Sequence, residues 1–277
     1  MALEDPQAIA SREALRLRYR DDAPPRILWN DTIAQILSHR SVRSFLPGAL
    51  PEDTIETLVA AAQSAASSSN LQLWSVVAVT DSDKRRRLAE IAGQTHLEQA
   101  PLILLWIADL ARAKLVADTA GEPAVGFEFL ESYTVAAIDA ALAAQNAVLA
   151  AESLGLGTVY AGAMRNQPEE AAAIAGLPPR AAVIFGLVVG WPDPAQPSAV
   201  KPRLPQEAVL HRESYALEAQ LKPIARYDET ARAFQTEQGQ AQVGWRALLL
   251  ARGRSAKSLA GRDRLKQALR TLGFALR

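Results

Sequence analysis

Two short cationic motifs, far apart in the 277-residue chain, carry the residue types best suited to binding a phosphate. The first is HRSVR at residues 39–43, which brings two guanidiniums and a hydroxyl together. The second is KPRLP at residues 201–205, where Lys201 and Arg203 lie in a proline-bracketed segment. Guanidinium groups match phosphate oxygens in geometry and charge. Alone, HRSVR is more often a solvated helix end, and KPRLP is as often an exposed linker as a binding segment. Together they predict a phosphate site if the fold brings them close.

A second set of polar residues lies where predicted elements end. The tract SSSN at residues 67–70 follows a predicted helix, and its side chains can cap the backbone or bind the polar edge of a ligand. Gly162 follows a predicted strand, where the missing Cβ lets a backbone N–H approach a ligand closely. An ordinary turn at the end of a strand has the same sequence pattern.

Other kinds of chemistry lack their residues. The chain has no cysteine, which excludes disulfides, thiolate nucleophiles and cysteine-ligated metals. Its three histidines show no HExxH or other helical metal spacing, so no metal site is predicted. GxGxxG, P-loop and GxSxG motifs are also missing from the sequence. Any redox chemistry therefore needs a bound cofactor.

Composition predicts a folded protein without a large surface charge. Hydrophobic residues make up 49% of the chain and charged residues 22%, and 30 basic side chains balance 30 acidic ones. We therefore expect no nucleic-acid partner. The N-terminal sequence lacks the apolar region of a signal peptide, so a cytoplasmic protein is expected. The most apolar stretch, residues 133–151, is rich in alanine and contains Asp139, which predicts a buried helix and no membrane span.

Periodicity and turn residues predict alternating helices and strands. Helices are expected over about residues 5–18, 31–37, 51–66, 82–92, 131–153 and 168–175, and strands over 73–80, 101–108, 156–161 and 181–189. The continuous apolar run at 101–108 is typical of a central strand covered on both faces. The pattern favours a layered α/β or α+β fold.

Taken in order, seven motifs resemble the nitroreductase superfamily, and in particular its NADPH-dependent, oxygen-insensitive nitroreductase and flavin reductase branch. They are HRSVR, SSSN, GQTH at 93–96, an alanine-rich helix ending at Gly157, YAGAMR, VGWPD and KPRLP. The resemblance implies an α+β, three-layer fold with a central mixed sheet flanked by helices. It also implies a homodimer that binds FMN noncovalently and whose C-terminal arm extends over the partner subunit.

The same resemblance divides the chain into three parts: an N-terminal extension without a counterpart at 1–29, an FMN-binding core at 30–205, and a C-terminal helical region and dimer arm at 206–277. The implied cofactor-binding residues are His39, Arg40, Ser41, Arg43, Ser67, Ser68, Ser69, Gln94, Tyr160, Ala161, Gly162, Ala163, Lys201 and Arg203. Lys201 and Arg203 would close on the phosphate and ribityl side, and Ser67 with its neighbours would contact the flavin from the opposite subunit. Gln94 would lie near the ring, and residues 160–163 would run along it with a backbone N–H near N5.

The function implied is a ping-pong reaction in which hydride passes from NADPH or NADH through FMN N5 to a nitroaromatic, a quinone or free flavin. No side chain is required as a catalytic group, because the cofactor carries the redox chemistry. The alternative is a non-enzymatic flavin-binding protein, for storage or sensing, that has lost the nicotinamide site. It stays open because Arg226, Arg232 and Arg246 do not align clearly with the basic residues that select the NADPH 2′-phosphate in the family. Ala163, where the branch commonly has a second glycine, would narrow the space beside the flavin.

Overall fold

The computed structural model of the chain describes residues 5–21 and 23–277. In chain order its regular elements are α1 (Pro6–Tyr19), α2 (Asp31–Ser38), α3 (Thr54–Gln63), β1 (Trp74–Val79), α4 (Ser82–Ala92), α5 (His96–Gln99), β2 (Leu102–Asp109), α6 (Ala111–Ala120), α7 (Leu130–Ser153), β3 (Gly157–Ala161), α8 (Pro168–Ala175), β4 (Ala181–Gly190), α9 (Leu221–Glu237), α10 (Trp245–Gly253) and α11 (Leu265–Thr271). Each predicted helix and strand is present, with its ends shifted by a few residues at most.

The chain divides into two compact units. The helical unit comprises Met1–Arg40 and Ala199–Leu259, and the sheet unit comprises Ser41–Ser198 and Ala260–Arg277. The predicted division into an extension at 1–29, a core at 30–205 and a C-terminal region at 206–277 stays a functional prediction. Residues 1–4 and 22 of that extension lie outside the described residues.

Helix ends follow the local signals in the sequence. The Asn30 side chain accepts a hydrogen bond from the Ile33 N–H (2.9 Å), and Asp81 accepts one from the Lys84 N–H (2.8 Å). Both side chains satisfy a backbone donor that the first helical turn leaves unpaired. Gly93 ends α4 in the left-handed region at φ 62°, where glycine carries no steric penalty.

The sheet unit is built on four strands in the order β1-β2-β4-β3. All three strand pairs are antiparallel, so the expectation of a mixed sheet is wrong for these strands. A parallel pairing occurs as the isolated bridge between Ser41 and Thr158. The error has a physical reason: an apolar run such as 102–109 shows that both faces of a strand are covered, but it carries no sign of the direction of its neighbours.

Helices cover both faces of this sheet. Because successive side chains of a strand alternate, Leu102, Leu104 and Trp106 pack with α3 and α7, while Ile103 and Leu105 pack with α4, α5 and α8. Every residue of β2 is buried. The predicted α+β arrangement of helices, sheet and helices in three layers is therefore confirmed.

The 24-residue helix α7 is long and apolar enough to cross a membrane by length and composition alone. However, 44% of its most apolar stretch is buried inside the protein. Its buried side is a stripe of small residues that includes Ala140, Ala143, Ala144 and Ala147. Small side chains let the helix axis approach α3 and the sheet closely. The prediction of a buried core helix is confirmed.

A missing Cβ lets the segment after α2 lie against β3. The Val42 N–H donates to the Thr158 carbonyl (2.9 Å), and Val42 is only 4% exposed. A Cβ built on Gly157 would lie 2.8 Å from the Val42 Cβ, closer than carbon atoms normally approach. Glycine at 157 is therefore required for this contact.

We predict that Gly157→Ala lowers the free energy of unfolding by about 1–3 kcal/mol, the usual cost of overpacking a core. Gly126→Ala is the matched control, because a Cβ there meets no atom within 4 Å and its φ is not in the left-handed region. Urea unfolding of both variants measures the difference. Equal stability of the two variants would contradict the contact between Val42 and β3.

Candidate functional site

Helix α2 leads into His39 and Arg40, the part of HRSVR that belongs to the helical unit. Its apolar residues Ile33 and Leu37 are partly buried. His39 caps the C-terminal end of the helix, and its N–H donates to the Ile36 carbonyl (3.3 Å). Arg40 follows directly and is exposed. His39 and Arg40 therefore lie immediately after the C-terminal end of α2.

The second motif lies in a segment without helix or strand, and hydrogen bonds to its backbone fix it in place. Pro202 is buried, and its carbonyl accepts a hydrogen bond from the Tyr227 hydroxyl (2.9 Å). Lys201 and Arg203, on either side of it, are exposed. The proline is therefore the buried anchor of this segment, and the cationic residues on either side of it are left exposed to solvent.

One buried side chain joins the two motifs. The Arg18 guanidinium donates to the carbonyl of Lys201 through Nη1 (2.8 Å) and to the carbonyls of Leu37 and His39 through Nη2 (2.8 Å each). The Arg203 N–H in turn donates to the Arg18 carbonyl (2.9 Å). The His39 and Lys201 carbonyl oxygens are therefore no more than about 8 Å apart, the span of two hydrogen bonds across one planar guanidinium. Hereafter we call residues 39–40 and 201–203 the phosphate loops, after the ligand that the sequence predicts for them.

Two arginines of the phosphate loops have no carboxylate partner among the described residues. Arg40 and Arg203 are exposed, and neither forms an ion pair with a carboxylate of the described part of the chain. By contrast, Arg226 of the same unit is paired with Glu207. Exposed guanidiniums on a fixed backbone suit the oxygens of a phosphate.

In the sheet unit, Ser41 and Arg43 flank the anchored Val42. Ser41 is bridged to Thr158 of β3, and Arg43 is exposed. The extended backbone alternates its side chains, so burying Val42 places the hydroxyl and the guanidinium on the other side. Arg43 also takes part in no ion pair with a described carboxylate.

His96, the first residue of α5, has a buried Nε2 with no hydrogen-bond partner among the described residues. Burial lowers the pKa of His96 below its ordinary value of 6.5, and the positive charge of Arg43 lowers it further. Both effects disfavour the charged imidazolium. In the sequence His96 stands out only as the last residue of GQTH and as a histidine without metal spacing, so its buried Nε2 adds a polar atom to the predicted set.

The Ser67 side chain forms hydrogen bonds that fix the conformation of its own loop. Its hydroxyl donates to Asp139 Oδ2 (2.7 Å) and accepts the Gln72 N–H (2.8 Å), and the Ser68 N–H donates to Asp139 Oδ1 (3.1 Å). Asp139, on α7, is 1% exposed. Ser68 and Ser69 themselves are exposed. Three residues of this loop have left-handed φ values, namely Ser69 (49°), Asn70 (54°) and Gln72 (51°).

Gln94 lies directly after the end of α4. Its N–H donates to the Ala89 carbonyl (3.1 Å), one of the bonds that close the helix around Gly93. The residue is half-buried. This bond fixes the backbone of Gln94 to the rigid end of a helix.

The segment 160–163 follows the last residues of β3, which pair with β4 from Tyr160 opposite Leu187 to Ala161 opposite Gly186. The Tyr160 ring packs edge-on against Phe185, with centroids 5.1 Å apart. Burial raises the pKa of the Tyr160 phenol, and the Glu152 carboxylate raises it further, so the hydroxyl stays protonated. Tyr160 is 39% exposed, and the other residues of β3 are buried.

The space beside Gly162 is occupied by a side chain of the chain itself. A Cβ at Gly162 would lie 3.3 Å from Arg165 Nη2, and the Arg165 guanidinium donates to the Ile184 carbonyl. Ala163 is 6% exposed and belongs to the core beneath the sheet. Its methyl group is therefore accommodated by the core.

Two residues that matter to these arrangements had little sequence signal. Arg18 lies one turn beyond Leu15 on the buried side of α1, so the only sign was a guanidinium on an otherwise apolar stripe. Asp139 had a clearer sign, because an acidic residue inside an alanine-rich helix needs hydrogen-bond donors when it is buried.

Comparison with known proteins gives consistent matches. Residues 36–191 match the Nitroreductase family, and residues 201–277 match the Nitroreductase family, C-terminal domain. The chain is 41% identical over 206 residues to an NADPH-flavin oxidoreductase of Vibrio harveyi, which covers 74% of this chain and 82% of the relative. It is 43% identical over 188 residues to an FMN reductase (NADPH) of Bacillus subtilis strain 168, covering 67% and 75%. The solved structure of NfrA2 from B. megaterium superposes with a TM-score of 0.84 at 36% identity, covering 90% of this chain and 100% of that one.

The lowered pKa of His96 predicts a stability that falls with acidification. Below about pH 6.5 the unfolded chain binds a proton at His96 that the folded chain resists, so unfolding becomes more favourable, with a limit of about 1.4 kcal/mol per pH unit for this one group. Urea unfolding from about pH 7.5 to 5.5 should show a smaller loss for His96→Asn than for the parent. Arg43→Gln should reduce the loss only partly, because burial is the larger cause. Parallel curves for parent and His96→Asn would contradict this assignment.

Proposed function

Because the chain belongs to the nitroreductase family, we propose that it is an FMN-dependent oxidoreductase that takes reducing equivalents from NADPH or NADH and delivers them to free flavin, a quinone or a nitroaromatic compound. FMN, when bound, supplies the hydride-accepting and hydride-donating chemistry, and the chain supplies binding, orientation and charge. The observation that carries the proposal is the pair of phosphate loops tied together by Arg18.

The phosphate loops of the helical unit carry the kinds of donor that the phosphate of FMN requires. They present His39, Arg40, Lys201 and Arg203 from a backbone that hydrogen bonds hold in place. An FMN phosphate carries close to two negative charges and several acceptor oxygens, which guanidinium and ammonium donors satisfy. We assign these four residues to the phosphate and the adjoining ribityl chain.

A second group of proposed cofactor-binding residues belongs to the sheet unit. These are Ser41, Arg43, Ser68, Ser69, Gln94, Tyr160, Ala161, Gly162 and Ala163. The buried, unpartnered His96 Nε2 and the exposed Arg43 support a polar ligand in this unit. Ser67 is assigned to the cofactor as well: its hydroxyl donates to Asp139 and accepts the Gln72 N–H, and a hydroxyl oxygen can accept a second hydrogen bond.

We further propose a cytoplasmic homodimer. The side of α7 away from the sheet exposes Ile138 and Leu142, which are one helical turn apart. In α10 three consecutive leucines, at 248–250, are exposed. Exposed apolar groups of this kind are typical of surfaces that another chain covers. They support a second copy of the chain on α7 and a C-terminal arm that extends over it.

The proposed function is tested on the purified protein reconstituted with FMN. A flavin absorption spectrum that bleaches when NADPH is added without oxygen, followed by steady-state NADPH oxidation with free FMN, menadione or nitrofurazone, supports an oxidoreductase. A bound flavin that neither NADPH nor NADH bleaches would support the non-enzymatic binding protein instead. The relatives reported above are named as reductases and give that alternative no support.

Replacing Arg203 by Ala should weaken FMN binding by about 1.5–3 kcal/mol, the scale of a hydrogen bond to a charged group. Fluorescence titration of the apoprotein with FMN measures the change. Arg226→Ala is the matched control, because Arg226 is an arginine of the same unit that is paired with Glu207. Equal FMN affinity in Arg203→Ala and the parent would remove Arg203 from the site.

The arginines of the C-terminal region also differ in their availability to a donor nucleotide. Arg226 and Arg232 are paired with Glu207 and Asp228, whereas Arg246 bonds Asp228 through its backbone N–H (2.7 Å). The Arg246 guanidinium forms no ion pair with a described carboxylate and is exposed. We assign it to the NADPH 2′-phosphate.

If that assignment is correct, Arg246→Ala raises KM for NADPH roughly tenfold or more, as expected for loss of a charge-assisted contact, and leaves KM for NADH unchanged. Arg226→Ala again serves as the control. Steady-state kinetics with both donors decide the point, and an equal change in KM for NADPH and NADH would exclude Arg246 as the discriminating residue.

A further inference from the structure

We propose that the N-terminal helix α1, which has no placed counterpart in the family resemblance, is part of the cofactor site, and that Arg18 is a positioning residue for the FMN phosphate. The inference rests on the proposed function, because it presupposes that the phosphate loops bind FMN. Arg18 acts through the backbone of these loops without touching the phosphate.

Burial and geometry carry the inference. Arg18 is 6% exposed, so its guanidinium is surrounded by protein. Its two terminal nitrogens donate to three carbonyl oxygens at 2.8 Å, one in the loop at 201–203 and two at the end of α2. The backbone link from the Arg203 N–H to the Arg18 carbonyl runs in the opposite direction. Both loops are therefore bonded to one residue of α1.

Arginine is specifically suited to this position. The guanidinium is planar and holds its donors at fixed angles, so it can bond separate carbonyls on two sides at once. An ammonium group at the same place is a single point from which three donors diverge. Replacing Arg18 removes the donor from three partly buried hydrogen bonds, and the two loops lose the guanidinium that fixes their separation.

Other contacts hold the end of α1 in the helical unit independently of Arg18. Arg20 forms an ion pair with Glu237 of α9 (3.0 Å), and its guanidinium lies over the Phe234 ring (5.7 Å). Leu15 is 3% exposed. A variant at position 18 therefore keeps these attachments, and its effect is directed at the loops.

This role has a chemical signature. Riboflavin is the same molecule as FMN without the phosphate, so misplacement of the phosphate loops weakens FMN binding much more than riboflavin binding, which has only the ribityl contacts to lose. A general loss of folding weakens both ligands alike. The ratio of the two dissociation constants thus separates a positioning role from a merely structural one.

The experiment titrates full-length apoprotein with FMN and, separately, with riboflavin, for the parent, Arg18→Lys, Arg18→Ala and Arg12→Ala. Arg12→Ala is the charge-matched control, because it removes an exposed arginine from the same helix. We expect Arg18→Ala to reduce FMN affinity about 10- to 100-fold, the range for loss of hydrogen bonds to a charged group, with a much smaller loss of riboflavin affinity. Arg18→Lys should show the same selective loss, and Arg12→Ala should match the parent.

Unchanged preference for FMN over riboflavin in both Arg18 variants would overturn the inference. So would an equal loss of affinity for the two flavins in Arg18→Lys, the variant that decides if Arg18→Ala does not fold. Failure of the proposed function is distinguishable, because the parent protein itself would then bind neither flavin or show no preference for the phosphorylated one.

Discussion

The Arg18 guanidinium and the three backbone carbonyls around it are the contact on which the candidate phosphate site depends. A buried guanidinium is tolerated only where hydrogen bonds replace the water it has lost. Here the replacement comes from two segments separated by about 160 residues of chain. Satisfying one buried charge therefore requires the end of α2 and the segment around Pro202 to stay together, and their cationic side chains are brought together as a consequence.

The sheet unit depends on a different constraint, the close approach of backbones where a side chain is missing. Gly157 makes room for Val42, and a Cβ at Gly190 would lie 2.8 Å from both Phe45 and Pro101. These contacts hold the segment 41–45 along the edge of the sheet, where it contributes Ser41 and Arg43. The two units thus position adjacent parts of HRSVR by different means, one by hydrogen bonds to a buried charge and the other by packing.

Much of this architecture could be predicted from the sequence because it follows from local rules. Asn30 and Asp81 cap helices, and the apolar run of β2 is covered on both faces, as its composition indicates. The direction of strand pairing and the bond between Ser67 and Asp139 could not be predicted, since both depend on contacts between residues far apart in the chain. The two cationic motifs were visible in the sequence, but Arg18, which joins them, resembled any arginine of a surface helix. A family resemblance transfers the residues that a motif contains, and it does not transfer residues of a segment for which the family offers no counterpart.

A crystal structure of the protein with FMN would show directly whether the phosphate loops hold the cofactor. We expect the FMN phosphate within hydrogen-bonding distance of Arg40 and Arg203, with the Arg18 guanidinium still bonded to the carbonyls of the phosphate loops. A phosphate bound away from these loops, or loops that have separated from Arg18 in the complex, would contradict it.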